Sequence, residues 1–419
     1  MPVYRKFPTG TPGRRTIQQR HAGAVSGPIP SSLVLLLGLL SMLGMAPVLM
    51  ADADATEGPA KENEDAAFGV LAEESVGVPL RIRNFTFPSY LVLGFAPTPA
   101  QPLGKGNWAF EYHFSQVNNF QVSTPVEEYL ERTRDDGVRR RLGPTDVEAI
   151  LALPEGDAFY IDGEFSFHDF TFYYGINDRL DIGLGWYYVG YSGGELDGTI
   201  FSFHDSLGFG QQGRDFVEDD LFQVVIGSDE LPPLVLLDRP NAGGFSDPTL
   251  YLRYAFPRRS NGWQYALSAG IKFPTASSTS LLSTGNTDFG IQLTADRRWK
   301  RNALIVNVDY VMPGTFEVNE FDAPDLPAIH VSFLHQMKRW PSTRLTLQML
   351  TAEHAFRDLI DSEFSELTQA EFQLTLGVKW DTDYGVFGLG LTENLFNMDN
   401  TPDIGVHFSW GYLGIGKKN

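Results

Sequence analysis

The chain has no cysteine among its 419 residues. That excludes a disulfide scaffold and thiolate metal sites, and it is harmless in an oxidising envelope compartment. Basic side chains are in deficit, with 32 Lys and Arg against 52 Asp and Glu. A nucleic-acid binder needs the opposite sign, so nucleic acid is not an expected partner. There is no P-loop, no dinucleotide fingerprint, no HExxH and no EF-hand loop, so neither a cofactor nor a bound metal is expected. The mean hydropathy is slightly negative, −0.16, while aromatics reach 13% with 42 Gly and 31 Phe. That combination suits a transmembrane β-barrel, whose strands show only half of their residues to lipid.

The pattern behind this expectation is clearest in residues 167–194, FHDFTFYYGINDRLDIGLGWYYVGYSGG. Phe170, Phe172, Tyr174 and Ile176 alternate on one face, as do Leu180, Ile182, Leu184, Trp186 and Tyr188 after a turn-like Asn177-Asp178-Arg179. Strict two-residue alternation means strand, and two such runs joined by a turn predict a β-hairpin. Similar runs begin at Asn107 and recur through Leu250, Trp263, Phe289, Leu304, Ile329, Leu345, Phe372, Phe387 and Ile404. They make about twelve strands, and the connections between them alternate long and short. An outer-membrane antiparallel barrel needs an even strand count, short turns at one end and long loops at the other. A soluble sandwich with Greek-key links has no reason to alternate in this way. The fold class expected is therefore all-β, a closed barrel over residues 107–413, with a narrow lumen, open or plugged.

The first 51 residues have the layout of a secretory signal peptide with a long basic leader: Arg5, Lys6, Arg14, Arg15 and Arg20, an apolar core at 33–43, and small residues at Ala51, Ala53 and Ala55. The alternative is a single membrane anchor, which would have to extend across Pro47. Cleavage there would remove five of the 32 basic side chains and none of the 52 acidic ones, leaving −25. The acid excess reads as solvated surface rather than as a cation site. Residues 52–78 have the composition of a flexible periplasmic segment. Residues 79–106 are cut by Pro88, Pro97, Pro99 and Pro102, which argues against a central strand; they are expected to lie across the barrel mouth or to plug the lumen. Residues 414–419 form a polar tail.

The glycine-rich stretch 193–215, GGELDGTIFSFHDSLGFGQQGRD, carries a resemblance to the Gram-negative family catalogued as domain of unknown function 3187. The resemblance extends to PLRIRNFTFPSYLVLGF at 79–95, YYGINDRLDIGLGW in the hairpin, GGFSDPTLYLRYAF from Gly243, and IKFPTASS with TGNTDFG after it. It implies an outer-membrane location and no established activity. The chain departs from it in the long leader and in the residues following Trp410.

Candidate functional residues fall in three groups. Asp197, His204, Asp205 and Arg214 lie in the glycine-rich loop, where they read either as a binding cluster with a His-Asp pair or as a loop fixed by its own hydrogen bonds. Glu111, Arg253, Lys272, Arg344, Glu371 and Lys379 fall on the inward face, where mixed charges make either an ion-pair ladder or the lining of a polar channel. His113/Ser115, His330/Ser332 and His407/Ser409 place both side chains on one face, a spacing that resembles the outer-membrane phospholipase A family. The alternation points all three inward, away from lipid, and no oxyanion donor or carboxylate partner is evident. Three functions stay open: a channel or transporter for small solutes narrowed by the 193–215 loop, a lipid-modifying enzyme using a His-Ser pair, and a non-conducting surface-binding or scaffold barrel. The partners expected are outer-membrane lipid and lipopolysaccharide, the barrel assembly machinery and an unidentified small solute.

Overall fold

The computed structural model describes residues 78–134, 137–153, 158–194, 196–207, 211, 213–227, 233–317, 320–357, 369–394 and 401–415. The leader, the 52–77 segment and the last four residues lie outside the described residues. Among the described residues, fifteen strands form one antiparallel sheet. Twelve of them make the wall: β1 (Trp108–Val122), β2 (Phe159–Gly175), β3 (Leu180–Ser192), β7 (Thr249–Ala255), β8 (Trp263–Lys272), β9 (Asp288–Trp299), β10 (Asn302–Met312), β11 (Leu326–Gln336), β12 (Thr343–Ala352), β13 (Glu371–Thr382), β14 (Gly385–Glu393) and β15 (Ile404–Gly414). Each pairs with its sequence neighbour in the wall, and β1 closes the ring on β15 from Trp108↔Gly414 to Asn118↔Ile404. Closure removes the open edge, whose unpaired N–H and C=O groups hydrocarbon cannot satisfy. The last strand runs on past Trp410 to Gly414.

The alternation read from the sequence is the alternation of the wall. Along β9 the even positions from Asp288 to Asp296 are buried, whereas Phe289, Ile291 and Leu293 are about half exposed. Phe172, Trp186, Leu252, Leu347, Leu376 and Leu389 continue the apolar outer band. Such a band is stable only against lipid, and it defines a barrel of the outer-membrane type.

Between β1 and β2 the chain builds a small core above the wall. α1 (Thr124–Thr133) and α2 (Pro144–Ile150) pack on the overshooting ends of β1 and β2, and the sheet is extended there by β4 (Gln223–Ile226) and β5 (Leu234–Leu236). Val126, Tyr129 and Leu130 recur at three- and four-residue spacing, so one face of α1 is buried against Phe120, Tyr160, Val217 and Val225. A third short strand, β6 (Gly243–Phe245), pairs with β3. Leu130 is fully buried, so Leu130→Ala is expected to cost about 2–5 kcal/mol locally. Hydrogen exchange should speed up in α1 and α2 while protection of the wall strands is unchanged.

Candidate functional site: the filled lumen

Residues 78–107 run inside the wall as a re-entrant segment. The segment begins near the short-turn ends of β13 and β14, where Leu80 lies over Gly377, Gly388 and Gly390. It rises to a short 3-10 turn at Ser89–Leu91, then descends to the short-turn rim, where the Lys105 amide donates to Asp178 and β1 begins. A proline-rich segment cannot form a strand, so its backbone polar groups need side-chain partners from the wall. The wall supplies them. Lys379 and Gln348 donate to the carbonyls of Pro79 and Leu80, Tyr187 and Lys272 to those of Tyr90 and Leu91, and Tyr251 to that of Gly94. Gln292, Asn307 and Arg253 donate to the carbonyls of Ala96, Thr98 and Pro99. In the other direction, the amides of Leu93, Ala100 and Leu103 donate to Asp288, Asp296 and Asp181.

Carboxylates complete the frame. Glu111 pairs with Arg81 at 2.8 Å, and Glu371 accepts from Asn84, Thr86 and Ser89 at 2.5, 3.0 and 3.2 Å. Lys272 sits 2.7 Å from Asp288 and 3.6 Å from Asp247, and Arg253 is held by Asp181 at 2.5 Å. Five of the six inward charges, Glu111, Arg253, Lys272, Glu371 and Lys379, thus touch the segment itself. Arg344 pairs with Asp381 at 2.7 and 2.5 Å instead.

Toward the long-loop end the contact becomes apolar. Phe85 stacks on Phe167 at 4.5 Å, and Tyr90 meets Phe165 and Phe167 at 5.4 Å each. Glycines on the wall make room for the segment. A Cβ at Gly290 would stand 2.8 Å from Phe95 and 3.1 Å from Leu93. Gly290→Val is therefore expected to cost about 1–3 kcal/mol by overpacking. Faster hydrogen exchange at residues 92–96 would report it. Small cavities lie between segment and wall, two of them of about 10 and 40 Å³. The larger has room for a few waters and is flanked by Arg83, Asp309, His330 and Glu353.

The glycine-rich loop starts as α3 (Asp197–Leu207). Asp197 and Arg214, far apart in its sequence, meet at 2.7 Å. Arg214 also pairs with Asp403 from the β14–β15 loop, donates to Asn118 of β1 at 2.7 Å, and lies 4.1 Å over the Phe120 ring. Asp197 in turn accepts from Asn118 and from the Asp220 amide, each at 2.9 Å. Burial works against the Arg214 charge, but Asp403, Asp197 and Asp162 outweigh it and raise the guanidinium above its ordinary value. Burial pushes the Asp403 carboxyl above the usual range, opposed by Arg214. His204 is buried on α3 while Asp205 is exposed, so these neighbours diverge on the helix. Sequence spacing gave no sign of Asp403 or Asn118 as partners, because they come from other loops and strands.

The His-x-Ser pairs point into the filled lumen. Ser115 bonds across the β1–β15 seam to His407 Nδ1 at 2.8 Å, and His407 Nε2 meets Thr392 at 2.8 Å. His330 lies 3.0 Å from Asp309, and Ser332 accepts from Gln348. His113 faces His407 at 6.2 Å. The hydroxyls and rings are combined across strands rather than within one, and all six residues of the three pairs are buried.

Known structures with a related outline are outer-membrane barrels. An outer-membrane channel from Pseudomonas putida F1 aligns over 76% of this chain and 98% of its own, at 9% identity and a TM-score of 0.43. The P. putida toluene transporter TodX aligns over 77% and 94%, at 9% identity and a TM-score of 0.36. No curated protein matches the chain in sequence. The model of the family described as protein of unknown function DUF3187 matches residues 149–413, which take in eleven of the twelve wall strands, and the chain belongs to that family.

Proposed function

We propose that this protein is an outer-membrane channel or transporter for small solutes, closed in the described conformation by residues 78–107 and narrowed at the long-loop end by the 193–215 loop. The supporting observation is the way the lumen is filled. The segment crosses a polar interior twice, and its backbone is held largely by single side-chain hydrogen bonds from the wall rather than by a strand ladder. Each such bond exchanges with water at a net cost of about 1 kcal/mol, so the contacts can part stepwise. The aromatic lining near Phe165, Phe167 and Tyr187 suits a solute with apolar surface. The short turns face the periplasm in this reading, and the leader is removed on export.

A lumen filled down to small cavities favours a second reading, a non-conducting scaffold barrel. Planar-bilayer recording separates the two. A channel shows intermittent openings of the intact chain, whereas a scaffold stays silent under every voltage and solute tried. A lipid-modifying role gains no support, because an ester in the membrane has no path to Ser115 or Ser332 through the wall.

A further inference from the structure

We infer that the short-turn rim carries a binding surface for anionic phospholipid headgroups along the arc from β7 to β12, an inference that rests on the membrane-barrel reading above. Three consecutive short turns, at 256–262, 297–302 and 337–342, contain no Asp or Glu. Arg258 and Arg259 occupy the first, Arg297, Lys300 and Arg301 the second, and Lys338 and Arg339 the third; all are exposed. The nearest carboxylate in sequence, Asp296, is buried and pairs at 3.8 Å with Arg298, the fourth basic residue of the second turn. Elsewhere on the rim the sign is mixed, with Asp178 beside Arg179 and Asp381 and Asp383 beside Tyr384.

The height of these cations on the wall identifies the partner. Arg297 lies 5.9 Å over the Trp263 ring, Arg259 5.6 Å over Tyr265 and Arg339 5.8 Å over Trp340. Trp and Tyr mark the headgroup level of a bilayer. The guanidinium groups are therefore held at the depth of lipid phosphates, and the arc continues directly into the lipid-facing band at Phe256, Leu267 and Leu293. A soluble anion has no need of that apolar continuation. Arginine forks and aromatic faces together fit a phosphodiester with an attached acyl chain. By the ordinary contribution of a basic residue near an anionic surface, each charge is worth about fivefold in lipid retention.

The test uses the full chain in mild detergent, titrated with phosphatidylglycerol, phosphatidylcholine or inorganic phosphate and read by native mass spectrometry. Phosphatidylglycerol adducts are expected to persist where phosphatidylcholine adducts are lost, with inorganic phosphate not competing. R297Q/K300Q/R301Q should lower phosphatidylglycerol retention by at least about tenfold, and K105Q/R179Q on the remaining rim should leave it unchanged. Heat-modifiable migration confirms that each variant is folded, and K338Q/R339Q repeats the test on a different turn. Equal retention of the two lipids, equal loss in K105Q/R179Q, or competition by free phosphate would overturn the proposal. Failure of the wild-type chain to insert into neutral phosphatidylcholine vesicles would instead count against the membrane-barrel reading on which it rests.

Discussion

Deleting residues 79–102 is expected to turn a closed barrel into a constantly conducting one. The segment supplies nine buried apolar residues to the lumen's cluster, among them Leu80, Ile82, Phe85, Phe87, Leu91, Leu93 and Phe95. Without it, the donors on Lys272, Lys379, Arg253, Gln292 and Asn307 face water, and together they line a polar conduit. Twelve strands enclose more than the side-chain-filled interior of eight and less than the open pore of sixteen. The open level should therefore lie below that of a general porin, with conductance rising by about an order of magnitude or more over the intact chain. Asp288, Asp181 and Glu371 lose their partners in the segment but gain solvent, so the wall should still assemble. Heat-modifiable migration checks this independently of current. A folded, non-conducting deletion variant would show that something other than the segment closes the barrel.

Arg214→Ala is expected to have the largest effect on stability of any single substitution outside the wall, about 3–5 kcal/mol for the long-loop assembly. Arg214 is 4% exposed, as is Asp197, and Asp403 is 2% exposed. Truncating the guanidinium leaves two carboxylates buried close together and removes the donor to Asn118 on the wall. The loss is local, since Arg214, Asp197 and Asp403 all lie outside the wall strands. Limited proteolysis should cut within residues 193–222 at far lower protease concentration, while the wall remains resistant. Replacing the whole group, with R214M, D197N and D403N together, should recover much of the loss, because no uncompensated charge is left. A resistant R214A loop would mean that α3 and its neighbours are held by apolar packing alone.

The wall was legible in the sequence because lipid on one side and a filled interior on the other impose period two on every strand. Loop lengths supplied the even count and the distinction between the two ends. The charges at Glu111, Arg253, Lys272, Glu371 and Lys379 were legible as inward-facing, but their partners were not, since those partners include carbonyls and side chains of a segment up to 300 residues away, as for Lys379 and Pro79. The prolines in that segment ruled out a strand without revealing a path. The packing of α1 on β1 and β2 was not legible for a different reason. Val126, Tyr129 and Leu130 are too few to stand out among the charges of α1, and their burial depends on Val217 and Val225 returning from the far side of the glycine-rich loop. Asp197 and Arg214 were noticed as residues, whereas Asn118 and Asp403 became visible only through the fold that converges them.

Tethering the segment in place is the most direct test of the claim that it closes the lumen. Asn84 and Gln373 meet across the segment–wall boundary at 3.4 Å, and the absence of native cysteine lets N84C and Q373C be joined by a short cleavable thiol cross-linker without side reactions. Single-channel recording of this variant should show openings before cross-linking, none while the tether is intact, and their return after cleavage. Openings that continue at the same frequency and amplitude with the tether fully formed would contradict the account.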